Sequence, residues 1–195
     1  MRTVGIVLAG GSGLRMGTEI EKQYLQLRGY PVLYYSLKAM QESFLDEIVL
    51  VVSRKRLAYC REEIVERYHF TKVKKIVEGG AERSDSVANA LHAIDEADYV
   101  FIHDGARPCL TQEILERGLS KVRETNACVA AVPSKDTVKI VDQQGVISFT
   151  PERKTVWIIQ TPQIFAYSMI KTAFDYLKES DEKVTDDAMV VEKML

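Results

Sequence analysis

Val4-Gly5-Ile6-Val7-Leu8-Ala9-Gly10-Gly11-Ser12-Gly13-Leu14-Arg15-Met16-Gly17 opens the chain and decides its architecture. Val4–Leu8 is a short, β-branched apolar run of the kind that lies buried on both faces of a parallel sheet. The glycines that follow make a turn at the carboxyl end of that strand, where α/β folds hold phosphates. Without Cβ atoms in the way, backbone N–H groups can converge there on oxygen ligands. Two familiar loops fail on spacing. A dinucleotide fingerprint counted from Gly11 and Gly13 needs glycine where Met16 stands, and a Walker A loop needs Gly-Lys-Ser/Thr where Arg15-Met16-Gly17 stands. The distinctive feature is a pair of cations, Arg15 in the loop and Lys22 seven residues on.

Outward from the loop, further strand candidates appear at Ile48–Val52, Val73–Val77, Tyr99–His103 and Val129–Val132, each fitting a doubly buried parallel strand. Helical segments alternate with them. Val87, Leu91 and Ile94 recur at helical spacing behind Ser84 and Asp85, which are available as caps. Arg56–Tyr68 offers Leu57, Ile64 and Val65 as an inner face, and Thr111 begins another helix with half of a capping box. The order predicts one α/β domain over residues 1–195, a doubly wound, mostly parallel, Rossmann-like sheet. One segment breaks the alternation. Thr137–Val141 and Val146–Phe149, joined by Asp142-Gln143-Gln144-Gly145, predict a hairpin arm over about residues 137–155, ahead of a strand at Val156–Gln160.

Bulk properties narrow the function classes. The 195 residues are 46% hydrophobic and 28% charged, the profile of a soluble globular protein. With a net charge of −2 there is no basic field to draw nucleic acid or an anionic membrane, so an anionic ligand must be met by local cations. Cys60, Cys109 and Cys128 lack CxxC spacing and are odd in number, which suits reduced thiols. Val4–Ala9 is too short for a secretion signal, and no apolar run is long enough to span a bilayer, so a cytoplasmic location is expected.

Further blocks follow the loop: Glu21-Lys22-Gln23-Tyr24, Gly79-Gly80-Ala81-Glu82-Arg83-Ser84-Asp85-Ser86-Val87, His103-Asp104-Gly105-Ala106-Arg107-Pro108, Pro133-Ser134-Lys135-Asp136-Thr137, Thr161-Pro162-Gln163 and Thr185-Asp186-Asp187-Ala188. Their order and spacing resemble the 2-C-methyl-D-erythritol 4-phosphate cytidylyltransferase family across essentially the whole chain. Ribitol-5-phosphate cytidylyltransferases share most of these blocks and are the alternative. The resemblance implies transfer of CMP from CTP to a polyol phosphate with release of pyrophosphate, in the non-mevalonate route to isoprenoids. It also implies a homodimer in which each β-arm reaches the partner's site. Two departures stand out. Gly105 replaces a commoner alanine, and the chain ends at Leu195, before a late Ile-Lys-Val-Thr strand that the family usually carries. That second departure leaves a CTP-binding dimer with impaired catalysis as a further alternative.

The acceptor phosphate is already an anion at neutral pH, with a second pKa of about 6. The chemistry therefore asks for positioning and charge neutralisation rather than a strong base. Arg15 and Lys22 are the expected transition-state cations, joined by Arg153 through the resemblance. Leu8, Ala9, Gly10, Gly11 and Gly13 would hold CTP phosphates; Gly79, Gly80, Ala81 and Ser86 would meet the cytosine; Asp104 and Gly105 would complete the CTP site. Thr137, Arg153, Asp104 and Arg107 are expected at the acceptor. Mg²⁺ is expected on the triphosphate, with its protein ligands unassigned. His103 is given no acid–base duty, Arg83 is expected either to brace its loop against a carboxylate or to contact the ligand, and Asp186 and Asp187 complement a helix dipole.

Overall fold

The computed structural model describes residues 1–11, 20–178 and 183–195. Strand β1 (Thr3–Ala9) is followed by a 3-10 turn at Lys22–Tyr24, a small ladder of β2 (Gln26–Leu27) and β3 (Tyr30–Pro31), and helix α1 (Val32–Gln41). Then come β4 (Glu47–Val52), a mixed helical stretch from Arg54 to Glu66 that contains α2 (Leu57–Tyr59), β5 (Val73–Glu78), α3 (Arg83–Ala93), β6 (Tyr99–Asp104), α4 (Gln112–Thr125) and β7 (Ala127–Pro133). The arm carries β8 (Ile140–Val141) and β9 (Ile147–Phe149), after which β10 (Trp157–Ala166), α5 (Tyr167–Lys178) and α6 (Asp187–Met194) complete the order.

The main sheet runs β5-β4-β1-β6-β10-β7. β5, β4, β1 and β6 are parallel, while β10 is antiparallel to both β6 and β7. Side chains of β1 alternate between two cores, as strand geometry requires. Val4 and Ile6 join α3, α5 and α6 on one face, and Val7 and Ala9 join α1 and α4 on the other. The sheet is thus doubly wound and mostly parallel, as the sequence predicts.

Two expectations need correction. Val129–Val132 is not a doubly buried parallel strand: β7 is the sheet edge, pairs antiparallel with β10, and leaves Val132 half exposed. A strand with one free ladder edge has no neighbour there to cover it. The candidate at Val156–Gln160 is the first half of the longer β10, which continues to Ala166. The arm is a hairpin, with shorter strands than Thr137–Val141 and Val146–Phe149 suggest. Its turn is stabilised by the Asp142 carboxylate, which accepts from the Gln144 and Val146 N–H groups, and Gly145 takes a φ of +81°.

The chain order places the ligand crevice. From β1 the chain moves outward to β4 and β5, then crosses back to β6 on β1's other side. The carboxyl ends of β1 and β6 flank that reversal, and Leu8 lies in register with Asp104. In open α/β sheets this switch point is where ligands bind.

Candidate active site

A cavity of about 440 Å³ opens at the switch point, of a size that suits a nucleotide. Leu8, Ala9, Gly10 and Gly11 form one wall, Gly80, Ala81, Arg83 and Ser86 the opposite wall, and Lys22, Gln23 and Asp104 close the sides. Most of the predicted CTP contacts are therefore brought together. Gly79 and Gly105 stand behind the surface, with N–H groups bonded to the Val52 and Leu8 carbonyls. Arg15 and Gly13 lie outside the described residues.

The β1 end is held in place by a residue that the sequence reading did not single out. The Gln23 side-chain amide donates to the carbonyls of Ala9 (2.8 Å) and Gly11 (2.9 Å). Trans peptide geometry points the Gly10 N–H opposite to the Ala9 carbonyl, and so away from Gln23. The neighbours of Gln23 are equally fixed. Glu21, almost wholly buried, accepts from Arg56 at 2.6 Å and pairs with Lys55 at 2.8 Å. The Arg56 hydrogen bond holds the Glu21 carboxyl at about 2, against the opposing effect of burial. Arg56 also stacks 4.8 Å from the Tyr24 ring. Lys22 thus projects from a short turn whose flanking residues are both anchored. The Glu21-Lys22-Gln23-Tyr24 block was legible as a motif, but only the fold shows that three of its four side chains support the fourth.

The opposite wall corrects the capping assignment. Glu82, not Ser84, is the N-cap of α3, and a reciprocal capping box joins it to Asp85. Ser86 braces the wall from within: its hydroxyl accepts from the Gly80 N–H and donates to the Glu82 carbonyl, both at 3.1 Å. A Cβ on Gly80 would sit 2.1 Å from the Asp85 Cβ, so only glycine fits that close approach.

Asp104 sits between two guanidinium groups. Arg83 Nε donates to Oδ1 at 3.3 Å and Arg107 Nε to Oδ2 at 3.0 Å. Burial disfavours the Asp104 charge, but the two arginines outweigh it and hold the carboxyl below its ordinary range. Arg83 also reaches Asp187 at 2.7 Å, which makes it the brace expected of it and draws Asp187 into the interior. Asp186, the N-cap of α6, accepts from the Met189 N–H, so of the two aspartates only Asp186 caps the helix. Gln163 ties the last two sequence blocks together, donating to Asp186 and accepting from the Ala188 N–H.

Arg107 does not line the nucleotide cavity. It faces an adjoining cavity of about 530 Å³ together with Gln160, to which it donates, and Thr161. Thr137 and Arg153 lie on the exposed arm and line neither cavity. Among the described residues there is no group of three His, Cys, Asp or Glu side chains placed to hold a metal ion. Both Asp104 oxygens are occupied by arginines, so the donor set suits a cation carried by the substrate's own phosphates better than a protein cage.

Comparison with known proteins agrees with this geometry. A sequence model of the family described as "IspD: 2-C-methyl-D-erythritol 4-phosphate cytidylyltransferase" matches residues 3–194. A relative of that name from Lachnospira eligens is 54% identical over 191 residues, covering 96% of this chain and 84% of the relative. One from Lachnoclostridium phytofermentans is 47% identical over 192 residues, covering 98% and 82%. The crystal structure of 4-diphosphocytidyl-2C-methyl-D-erythritol synthase from Anaerococcus prevotii superposes with a TM-score of 0.88 at 33% identity, covering 99% of this chain and 82% of that one. With its switch-point cavity, its glycine-ended first strand and this match along almost its whole length, the chain belongs to the 2-C-methyl-D-erythritol 4-phosphate cytidylyltransferase family.

Proposed function

We propose that this protein transfers the cytidylyl group of CTP to 2-C-methyl-D-erythritol 4-phosphate, releasing pyrophosphate. The observation that carries the reading is the meeting of Gly10 and Gly11 after β1, Lys22 and Asp104 around one cavity. A phosphate oxygen of the acceptor attacks the α-phosphorus of CTP. A new P–O bond forms, the bond to the β-phosphate breaks, and pyrophosphate leaves with the electron pair. Both reactants are anions, so the protein's task is to align them and offset charge. Lys22 supplies a compact positive charge at the cavity edge, and Arg15 is proposed to join it from the loop. Asp104, kept ionised by Arg83 and Arg107, has a second lone pair on each oxygen beyond the one each arginine uses, and is proposed to accept there from a neutral hydroxyl of the polyol or ribose.

Mg²⁺ is proposed to arrive on the triphosphate, where it lowers repulsion and favours pyrophosphate departure. Thr137 and Arg153 are proposed to act on the acceptor in a neighbouring subunit. The arm exposes Val141, Val146, Ile147 and Phe149, and Trp157 and Ile158 continue the apolar surface at its base. A contiguous surface of this kind marks an interface, here read as that of a homodimer. The three cysteines are free thiols, and among the described residues no helix is long and apolar enough to cross a membrane; a cytoplasmic location is proposed on that basis. The test is pyrophosphate release from CTP and Mg²⁺ with methylerythritol phosphate or ribitol 5-phosphate supplied in turn. Turnover with the first is expected, and turnover with ribitol phosphate alone would replace the acceptor named here.

A further inference from the structure

His103 is a buried member of β6, and both of its ring nitrogens are engaged. Nε2 lies 3.0 Å from the carbonyl oxygen of Arg107, and Nδ1 lies 2.9 Å from the hydroxyl of Thr161. The backbone N–H of Asp104 is in turn 3.3 Å from that hydroxyl oxygen. With a neutral ring, these three distances and the donor and acceptor capacities of the groups fix the direction of every bond in the chain.

A carbonyl oxygen can only accept, so Nε2 must carry a proton. Burial disfavours the charged ring and lowers its pKa, which leaves a neutral imidazole with one N–H. Nδ1 is then a bare acceptor, and the Thr161 hydroxyl must donate its single proton to it. A lone pair on the same hydroxyl stays available for the Asp104 N–H. The order is Asp104 N–H to Thr161 Oγ1, Thr161 O–H to His103 Nδ1, and His103 Nε2–H to Arg107 carbonyl. At its two ends stand the residues whose side chains form the 3.0 Å ion pair.

We propose that His103, held as its Nε2–H tautomer, is a positioning residue for the acceptor side of the site, locking the Asp104–Arg107 pair against the Thr161 corner of β10. His103 borders the adjoining cavity that Arg107 faces, but it is almost wholly buried and both ring nitrogens are engaged, so it acts through its neighbours rather than by proton transfer to the substrate. Arg107 sits on an exposed loop whose other backbone tie to this corner is its own N–H, bonded to the Asp104 carbonyl at 3.0 Å. The Arg107 carbonyl also accepts from the Ser36 hydroxyl at 3.1 Å, so losing the His103 bond removes one of its two side-chain holds and loosens the approach of the guanidinium to Asp104. The assignment of this side to the acceptor rests on the function proposed above; the tautomer and the bond directions do not.

Two measurements separate these layers. In the first, ¹⁵N chemical shifts of the wild-type imidazole at neutral pH should show a protonated Nε2 and an unprotonated Nδ1. Thr161→Val should speed hydrogen exchange at the Asp104 amide by roughly tenfold or more, while Thr161→Ser restores protection. A ring protonated at Nδ1, or an Asp104 amide indifferent to Thr161→Val, would overturn the chain of bonds. The second is kinetic. His103→Gln can keep a donor near the Nε2 position, and His103→Asn an acceptor near the Nδ1 position, so each retains one half. Each should lower kcat/KM for the acceptor by roughly tenfold, and His103→Phe by roughly a hundredfold, while the calorimetric Kd for CTP stays within about threefold. Equal losses for CTP and acceptor would overturn the positioning role. If the wild type turned over no acceptor, the proposed function would fail, and the tautomer and amide exchange would still decide the chain.

Discussion

Arg83 Nη1 lies 2.7 Å from Asp187 Oδ1, joining two residues 104 positions apart, while Nε of the same guanidinium reaches Asp104. The wall of the nucleotide cavity is thereby bolted to the last helix. Asp187 is almost fully buried, its second oxygen has no hydrogen-bond partner, and burial pushes its carboxyl upward against the pull of Arg83. Removing one member of such a pair leaves the other uncompensated and typically costs about 3–5 kcal/mol. Arg83→Ala is therefore expected to lower unfolding stability by that order in urea denaturation. In the background of Asp187→Asn, where no buried charge is stranded, the same substitution should cost clearly less. Equal costs in both backgrounds would mean that the pair does not couple these elements.

The Glu21 carboxyl, held at about 2 by Arg56, ties stability to acid conditions. Its value in an unfolded chain is near 4.5, so the folded state binds the proton more weakly. The contribution is fully present above that value and fades as pH falls toward about 2. Wild type should exceed Glu21→Gln by on the order of 1–3 kcal/mol at neutral pH, a range discounted because Lys55 faces solvent. Urea melts through the acid range should show the gap closing from pH 4.5 downward. A constant gap would separate stability from this carboxylate.

Gln23 spends both amide protons on the carbonyls of Ala9 and Gly11. Gln23→Leu frees the Gly11 carbonyl and leaves the Ala9 carbonyl without its shorter side-chain donor, keeping the Tyr24 hydroxyl at 3.3 Å, and Gln23→Glu sets an anion against both. Both are expected to weaken CTP binding by roughly tenfold or more, with Glu the more damaging, since hydrogen bonds of this kind are worth about 1–3 kcal/mol when a buried partner is stranded. Calorimetric titration with CTP reads this directly. Affinity unchanged in both variants would mean that Gly10 and Gly11 keep their positions without the clamp.

Phe149 and Ile147 are more than half exposed on the arm. If they are covered by a second copy, Phe149→Asp should shift sedimentation toward the monomer and depress turnover, because Arg153 would no longer be delivered across the interface. A variant that sediments like wild type and retains full activity would remove the arm from assembly.

Much of this architecture was legible because it depends on local pattern. Apolar runs ending in glycine gave β1 and the Gly10-Gly11 edge of the cavity, and Asp142–Gly145 marked the arm. The edge position of β7 was not legible, because Ala127–Pro133 is as apolar as a central strand and only its pairing with β10 exposes it. The site divided in the same way. Lys22 stood out as a cation seven residues after Arg15 and Asp104 as a carboxylate at a strand end, and both reach the cavity. The supports did not stand out. Gln23, Arg56 and Thr161 act through partners 12 to 58 residues away, and no spacing rule encodes such pairings.

Lys22 is proposed to act on the reaction more than on binding. Single-turnover cytidylyl transfer should be compared in wild type and Lys22→Ala, with CTP affinity and the thermal midpoint measured in parallel. The prediction is a transfer rate lower by roughly 10²–10³, CTP affinity weakened by less than about tenfold, and an unchanged melting temperature. A Lys22→Ala protein that transfers CMP at the wild-type rate would contradict it.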